Sequence, residues 1–455
     1  MKKFKILSLL FGMALILTGC ATVGNVVDNS GKSVYYEDVV YNQGQVVEIG
    51  DYIYYGNGYT SISQTGFSYK SAQKSGYLAR INVSNDFKFN DSLSVEDIPN
   101  SSPKGVQKVN DKLIGYENQN MFVLGSYIYF TSANTHKNSK LENDYTQVSL
   151  FRIKFDGDSF KEIDTFEHDE NSVITVQKGS DDNYYYIISE PDGNSAYNLY
   201  SIKIGDTLGS KKQLNKFEED GKEIVDPVET VAVCDENSNL KNVLYTTAST
   251  NTGIDTDSVK SVDFATGEIQ TLDNGVAGSS TKFVGREGDK VFYSYTYKGV
   301  SEIYFKDFAL DDNFFSPTPS HKFYNASEIK NIDTVGQGYL FISSSSKSVM
   351  YKDLSSQEDA VLLLSSSDYS DILFTDGDYI YYSNSTSISR VNILSKEKET
   401  IVSMTDIVSG KCGYAGGYIY FYAKLEEKDE NNTDENYYMY RVDREGNYQL
   451  VGKTI

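Results

Sequence analysis

The sequence predicts an all-β protein: a single β-propeller with a four-stranded antiparallel sheet in each blade. Three observations predict it. First, the chain of 455 residues holds 38 Tyr and 23 Phe but no Trp and only 6 Pro. Aromatic residues favour strands, and abundant Ser, Asn, Asp and Gly supply frequent turns. Second, a two-strand module recurs along the chain. Third, strands such as Tyr379-Ile380-Tyr381-Tyr382 are apolar or aromatic on both faces. Successive side chains point to opposite sides of a sheet, so both sides need cover. Packing between neighbouring blades supplies it. Helical crossovers would too, but the intervening segments are rich in Ser, Asn and Gly and lack 3.6-residue periodicity.

In chain order, Met1-Lys2-Lys3-Phe4-Lys5 is a basic start and Ile6 to Leu17 a mostly apolar stretch. It is too short for a bilayer, which needs about 20 residues, but suits the apolar part of a secretion signal. Leu17-Thr18-Gly19-Cys20-Ala21 then resembles the bacterial lipoprotein processing signal. The resemblance implies cleavage before Cys20, lipidation of its thiol with diacylglycerol, and palmitate-type acyl chains. The expected organisation is residues 1–19 as signal peptide, 20–32 as lipidated N-terminus and spacer, and 33–455 as propeller. An extracytoplasmic protein anchored to a bacterial membrane is expected, with the choice of membrane and leaflet left open.

The formal charge is -22, and removal of the first 19 residues with their three lysines takes it to about -25. Such a surface repels nucleic-acid phosphates, so DNA and RNA are not expected partners. Cys234 and Cys412 read as two buried free thiols, although a disulfide between them is permitted outside the cytoplasm. No Cys-x-x-Cys pair exists and His136, His168 and His321 are scattered, which argues against zinc.

The module is clearest where Asp51-Tyr52-Ile53-Tyr54-Tyr55 precedes Leu78-Ala79-Arg80-Ile81-Asn82. Tyr127-Ile128-Tyr129-Phe130 with Phe151-Arg152-Ile153, Tyr379 to Tyr382 with Arg390-Val391-Asn392, and Tyr418 to Phe421 with Arg441-Val442-Asp443 repeat it. Four weaker copies fill the middle. The equivalent positions are 52, 127, 184, 242, 290, 339, 379 and 418. The shortest intervals suit a four-stranded blade, and the longer ones need only loop insertions. Eight hairpins favour eight blades, with seven as the alternative. The penultimate blade is expected at Asp371–Thr375, Tyr379–Tyr382, Ile388–Ile393 and Thr400–Met404. Tyr448 to Gly452 is expected as the last outer strand. Val34-Tyr35-Tyr36 or Val46 to Ile49 is expected to complete the first blade or help close the ring. Arg80, Arg152, Arg390 and Arg441 are expected at blade edges or on the surface.

From Tyr52 to Ile455 the strand pairs YIYY/LARIN, YIYF/LFRIK, YIYY/ISRVNI and YIYF/MYRVD resemble the tyrosine-rich, low-density-lipoprotein-receptor-like β-propellers of bacterial extracytoplasmic lipoproteins. The resemblance implies the propeller and an exported location, and says little about function.

Recognition is expected on connecting loops, which scaffolds use for that purpose. Phe67, Tyr69 and Tyr77 lie in or beside one insertion, and Ser84 to Gly115 forms another. Glu426, Glu427, Asp429, Glu430, Asp434 and Glu435 crowd the tip of the last hairpin. Their spacing lacks the glycine of an EF-hand loop, so calcium is only a weak possibility and no cofactor is predicted. The same restraint applies to Asp255-Thr256-Asp257-Ser258. No nucleophile elbow or defined carboxylate pair marks a catalytic centre. His321-Lys322-Phe323-Tyr324 reads as loop and strand, and Gly285-Arg286-Glu287-Gly288 as a turn. The expected function is a membrane-tethered binding or scaffold protein whose ligand is an envelope protein, peptide or wall polysaccharide. An envelope hydrolase or lyase and a structural accessory of an envelope complex are the alternatives.

Overall fold

The computed structural model describes residues 26–41, 46–57, 64–65, 68–69, 77–82, 107–110, 121–133, 147–167, 174–179, 181–191, 197–214, 217–219, 222–224, 230–234, 240–249, 256–266, 268–273, 279–287, 290–307, 321–326, 329–356, 358–408, 412–424 and 437–453. Each hairpin found in the sequence lies in its own antiparallel sheet. Seven sheets are four-stranded blades. The remaining one, second along the chain, repeats the same meander with a fifth strand, β1 (Tyr36–Tyr41), added at one edge. Two short hairpins, Gln64–Thr65 with Ser68–Tyr69 and Phe217–Glu219 with Lys222–Ile224, sit outside the blades.

The seventh sheet comprises Asp371–Thr375, Tyr379–Asn384, Ser387–Asn392 and Lys398–Ser403, close to the expected boundaries. Tyr448–Lys453 is the last outer strand, as expected. Val46–Ile49 pairs with Tyr52–Asn57 and completes the first blade. The Val34-Tyr35-Tyr36 segment does not; it leads into β1 on the second sheet.

Alternation along the tyrosine strands sends neighbouring side chains into different cores. Tyr54 packs into the core shared by the first and second sheets, whereas Ile53 and Tyr55 enter the one shared by the first and eighth. Tyr381 faces the eighth sheet, while Ile380 and Tyr382 face the sixth. Each such fully buried side chain contributes about 1.5–3 kcal/mol relative to exposure. Between the fifth and sixth sheets, Phe292, Phe323, Tyr339 and Phe341 share a core. Tyr185 of the third packs edge-on against Phe264 of the fourth, with centroids 4.4 Å apart. Among the described residues, the first and eighth sheets exchange no strand. They meet through Val46, Ile53, Tyr55, Ala79 and Ile81 on one side and Ala415, Tyr420, Tyr422, Met439 and Val451 on the other. The Tyr422 hydroxyl donates to the carbonyl of Gly56 across this seam.

The third strand of several sheets ends on Asp or Asn, whose side chain closes the next turn. Asp443 Oδ1 accepts from the amides of Glu445 at 3.0 Å and Asn447 at 2.8 Å. Asn392 Oδ1 accepts from Leu394 at 3.0 Å and Ser395 at 2.8 Å. In the first of these turns Gly446 has φ 90°, and a Cβ there would lie 2.7 Å from the Ile401 carbonyl of the preceding sheet. The turn wedges against its neighbour only because that side chain is missing.

Candidate functional site: the two ends of the propeller

First strands of adjacent sheets touch one another, Val46–Ile49 against both Met121–Gly125 and Gly413–Ala415 for example, so these strands converge on the axis. The blades therefore have two unlike ends. At the turn end, connections join first to second and third to fourth strands, short except for residues 83–106 of the first sheet and 308–320 of the fifth. At the loop end, second strands pass to third strands and each blade passes to the next.

Of the predicted recognition segments, the aromatic insertion and the acidic segment belong to the loop end. The Ser84 to Gly115 insertion, of which only 107–110 is described, leaves the third strand of the first sheet for its fourth, at the turn end. Tyr69 pairs with Gln64 in the small hairpin between the second and third strands of the first sheet. Tyr77 opens the third strand opposite Asn57. Phe67 lies outside the described residues, as do Cys20, Glu426, Glu427, Asp429, Glu430, Asp434 and Glu435. The acidic segment nevertheless connects Tyr418–Lys424 to Tyr437–Val442, the second and third strands of the eighth sheet. The first and eighth sheets adjoin at the closing seam, so the aromatic insertion and the acidic segment connect strands at the same end of neighbouring blades. The separation of these two segments by more than 350 residues in sequence hid that they belong to adjoining sheets.

A second feature was only partly legible in the sequence, where residues up to 32 read as spacer and Val34-Tyr35-Tyr36 as a strand of the first blade or of the ring closure. Residues 26–41 form a strap on the turn end that continues into the channel. Val26 is buried in the core of the first two sheets. Asp28 Oδ1 accepts from the amides of Ser30 and Lys32, both at 2.9 Å, closing a turn bridged between Val27 and Ser33. The amide of Asp51, in the turn between the first two strands of the first sheet, donates to Val27 O at 3.4 Å. The Tyr36 hydroxyl donates to Glu48 O and accepts from Gly50 N, each at 3.3 Å. From Tyr36, opposite Gly125, β1 runs antiparallel to the inner strand of the second sheet until Tyr41 faces Phe122.

The strap also reaches the third sheet. Tyr35 donates to Asp206 Oδ2 at 3.3 Å, and Tyr184 donates to Asp38 Oδ1 at 2.6 Å. Lys178 Nζ stands 3.7 Å from the same Asp38 oxygen. The hydrogen bond from Tyr184, then the lysine charge, holds the Asp38 carboxyl below its usual value. Burial first, and then Asp38, pushes the Tyr184 phenol up to about 12. Further round the channel wall, burial raises the Asp333 carboxyl, helped by nearby Glu287, whose Oε1 accepts from the Thr334 amide at 3.2 Å.

The expectation that the repeated arginines lie at edges needs correction. Arg80 and Arg441 are 1% and 4% exposed. Arg152 and Arg390 are half-buried. All four stand opposite the second tyrosine of their hairpin and stack over the first, at 4.3 Å for Tyr52 and Tyr127, 4.7 Å for Tyr379 and 4.4 Å for Tyr418. Gln107, Glu399 and Gln449 on the outer strands accept from Arg80, Arg390 and Arg441. The guanidinium replaces lost hydration with ring faces and amide oxygens, which makes it part of the scaffold.

The carboxylate cluster most suggestive of chemistry is ion-paired internally. Lys211 Nζ lies 2.8 Å from Asp164 Oδ2 and 2.5 Å from Glu190 Oε1, above the Tyr200 ring at 4.5 Å. Burial raises the Glu190 carboxyl, and the lysine opposes that rise. One ammonium bridging both acids leaves an ion-paired interface between the second and third sheets. Among the described residues no group of three His, Cys, Asp or Glu side chains is placed to hold a metal ion.

Cys412 is a buried free thiol, as expected, pushed up to about 12 by burial. Cys234 lies in the strand Thr230–Cys234. His321–Tyr324 is a strand, whereas Gly285, Arg286 and Glu287 correct the expected turn: they end an inner strand opposite Phe292, Val291 and Lys290. Thr256, Asp257 and Ser258 begin a third strand.

No family profile matches the chain, and no curated protein matches it. Solved propeller-containing structures do resemble it. TolB from Acinetobacter baumannii is 12% identical, with 78% of this chain and 81% of that chain covered and a TM-score of 0.35. AztD from Citrobacter koseri is 12% identical, covers 83% and 91%, and has a TM-score of 0.42. A prolyl endopeptidase is 11% identical, with 90% of this chain covered but only 55% of that one, at a TM-score of 0.44. At such identities the likeness is one of fold alone.

Proposed function

We propose that the chain is a membrane-tethered extracytoplasmic binding or scaffold protein that engages an envelope protein, peptide or wall polysaccharide through its loop end. The observation carrying this reading is the closing seam: the first and eighth sheets adjoin, and the aromatic insertion and the acidic segment each connect second to third strands, at the same end of these two sheets. Tyr and Phe side chains offer flat apolar faces to peptides or sugar rings. The acidic loop offers charge complementarity to cationic groups. Cys20 supplies the lipid anchor. Calcium binding at the acidic hairpin is the cofactor form of the proposal, and is abandoned if calcium changes neither heat on titration nor thermal stability.

Photoreactive residues placed at positions 69 and 430, with a control at Leu394 on the turn end, test the reading in cells. The expected outcome is a discrete adduct from the loop-end sites alone. Its purified partner then binds saturably, and replacing the six hairpin carboxylates by amides weakens that binding. Equal capture from all three positions would refute the assignment.

A further inference from the structure

We infer that the strap fixes the orientation of the propeller on its membrane, with the turn end facing the bilayer and the loop end facing away. This rests on the lipid-anchor reading of Cys20. Five residues lie between Cys20 and Val26, six steps with a reach of at most about 22 Å. Val26 is fixed at the turn end by its burial between the first two sheets and by the contact of Val27 with Asp51.

The second strand of the first sheet, Tyr52–Asn57, is six residues long and spans about 20 Å from turn end to loop end. Four strands side by side add about 14 Å of radial width. A spacer of about 22 Å therefore cannot pass round the outside of a blade and still place a lipid beyond the loops. Run straight along the channel, which β1 already enters, it would stop level with the far rim. The anchor must leave from the turn end.

Docking of the strap is spread over three sheets, through Val27 to the first, β1 to the second, and Asp38 and Tyr35 to the third. The body is thus held against rotation about the point where the chain leaves it. Exposed Asp158, Asp182 and Asp206 at this end repel anionic headgroups, so attachment comes from the tether rather than from adhesion. The bilayer is the partner of the turn end, and envelope ligands meet the loop end.

The test uses the full lipidated protein on phosphatidylcholine vesicles that carry a nitroxide quencher on the headgroup. Fluorescent labels are introduced by Leu394→Cys in the seventh-sheet turn and Val300→Cys at the opposite end, side chains 81% and 62% exposed. The parent chain, labelled in parallel, supplies the background. The expected result is a larger loss of emission from the label at 394. Combined Tyr36→Ala and Asp38→Ala substitutions should reduce that difference while the protein still floats with the vesicles. Flotation of the parent with equal quenching, or greater quenching at 300, overturns the orientation and leaves the tether standing. Flotation that fails, or that survives Cys20→Ser, overturns the tether and the orientation together.

Discussion

Replacing Arg80 with Ala tests whether the repeated arginine is a structural element of the blade. Its guanidinium donates to Gln107 Oε1 at 2.8 Å and Tyr54 Oη at 3.0 Å, and lies 4.3 Å above the Tyr52 ring. Hydrogen bonds made by a charged group contribute about 1.5–3 kcal/mol. A desolvated cation–π contact adds about 2 kcal/mol. Together the loss is roughly 3–5 kcal/mol, in the range for opening a buried charged network. With an unfolding entropy of about 2.1 cal/mol/K per residue, the 455-residue chain loses about 1 °C in Tm per kcal/mol. Arg80→Ala should therefore lower the calorimetric Tm by about 3–5 °C. Arg390 pairs with Glu399, whose side chain is 59% exposed, so Arg390→Ala should cost only about 1 kcal/mol. Arg80→Met keeps much of the stem packing and separates lost volume from lost hydrogen bonds. Equal Tm losses at positions 80 and 390, or a larger loss at 390, would refute the reasoning.

Tyr184, Tyr185, Tyr304 and Tyr420 are each raised to about 12, the third chiefly by its bond to Glu302 and the others chiefly by burial. Their folded values exceed the unfolded value of about 10, so their contribution to stability is complete below about pH 10 and is lost as pH rises through about 12. A phenolate absorbance titration should show a late class of tyrosines ionising alongside unfolding; one simple step near pH 10 in the folded protein contradicts this. Cys412 should resist alkylation in the folded protein and react after denaturation, read by mass spectrometry, and rapid native labelling would count against its burial. Gly446→Ala meets a carbonyl at 2.7 Å as well as a positive φ, whereas Gly377→Ala, at φ 97°, meets only open space. The first should cost at least about 1–2 kcal/mol more than the second in thermal unfolding, and equal costs would deny the wedge.

The hairpins were legible because alternation and repetition report the same fact twice. Tyr379-Ile380-Tyr381-Tyr382 is apolar on both faces because residues 380 and 382 serve one core and residue 381 another. The arginine environment was not legible. Gln107 lies 27 residues after Arg80, beyond an insertion of irregular length, and no local pattern joins them. β1 was hidden for a related reason: Tyr36-Glu37-Asp38-Val39-Val40-Tyr41 looks like any edge strand, and its partner begins at Met121. The loop candidates stand out by composition, but the adjoining of the sheets that carry two of them depends on closure between the first and eighth sheets, a long-range event without a local signature.

That mode of closure has a consequence for biogenesis. Ile53, Tyr55, Ala79 and Ile81 emerge early in synthesis, yet Tyr420, Tyr422, Met439 and Val451, which cover them, are made last. During vectorial export the earliest blade must keep an adhesive apolar flank uncovered until almost the whole polypeptide has crossed. A chain halted after seven sheets would leave two raw flanks, one at each end of the arc. Such truncated products should be substrates for envelope chaperones and proteases, and completion of translocation becomes a quality-control step in its own right.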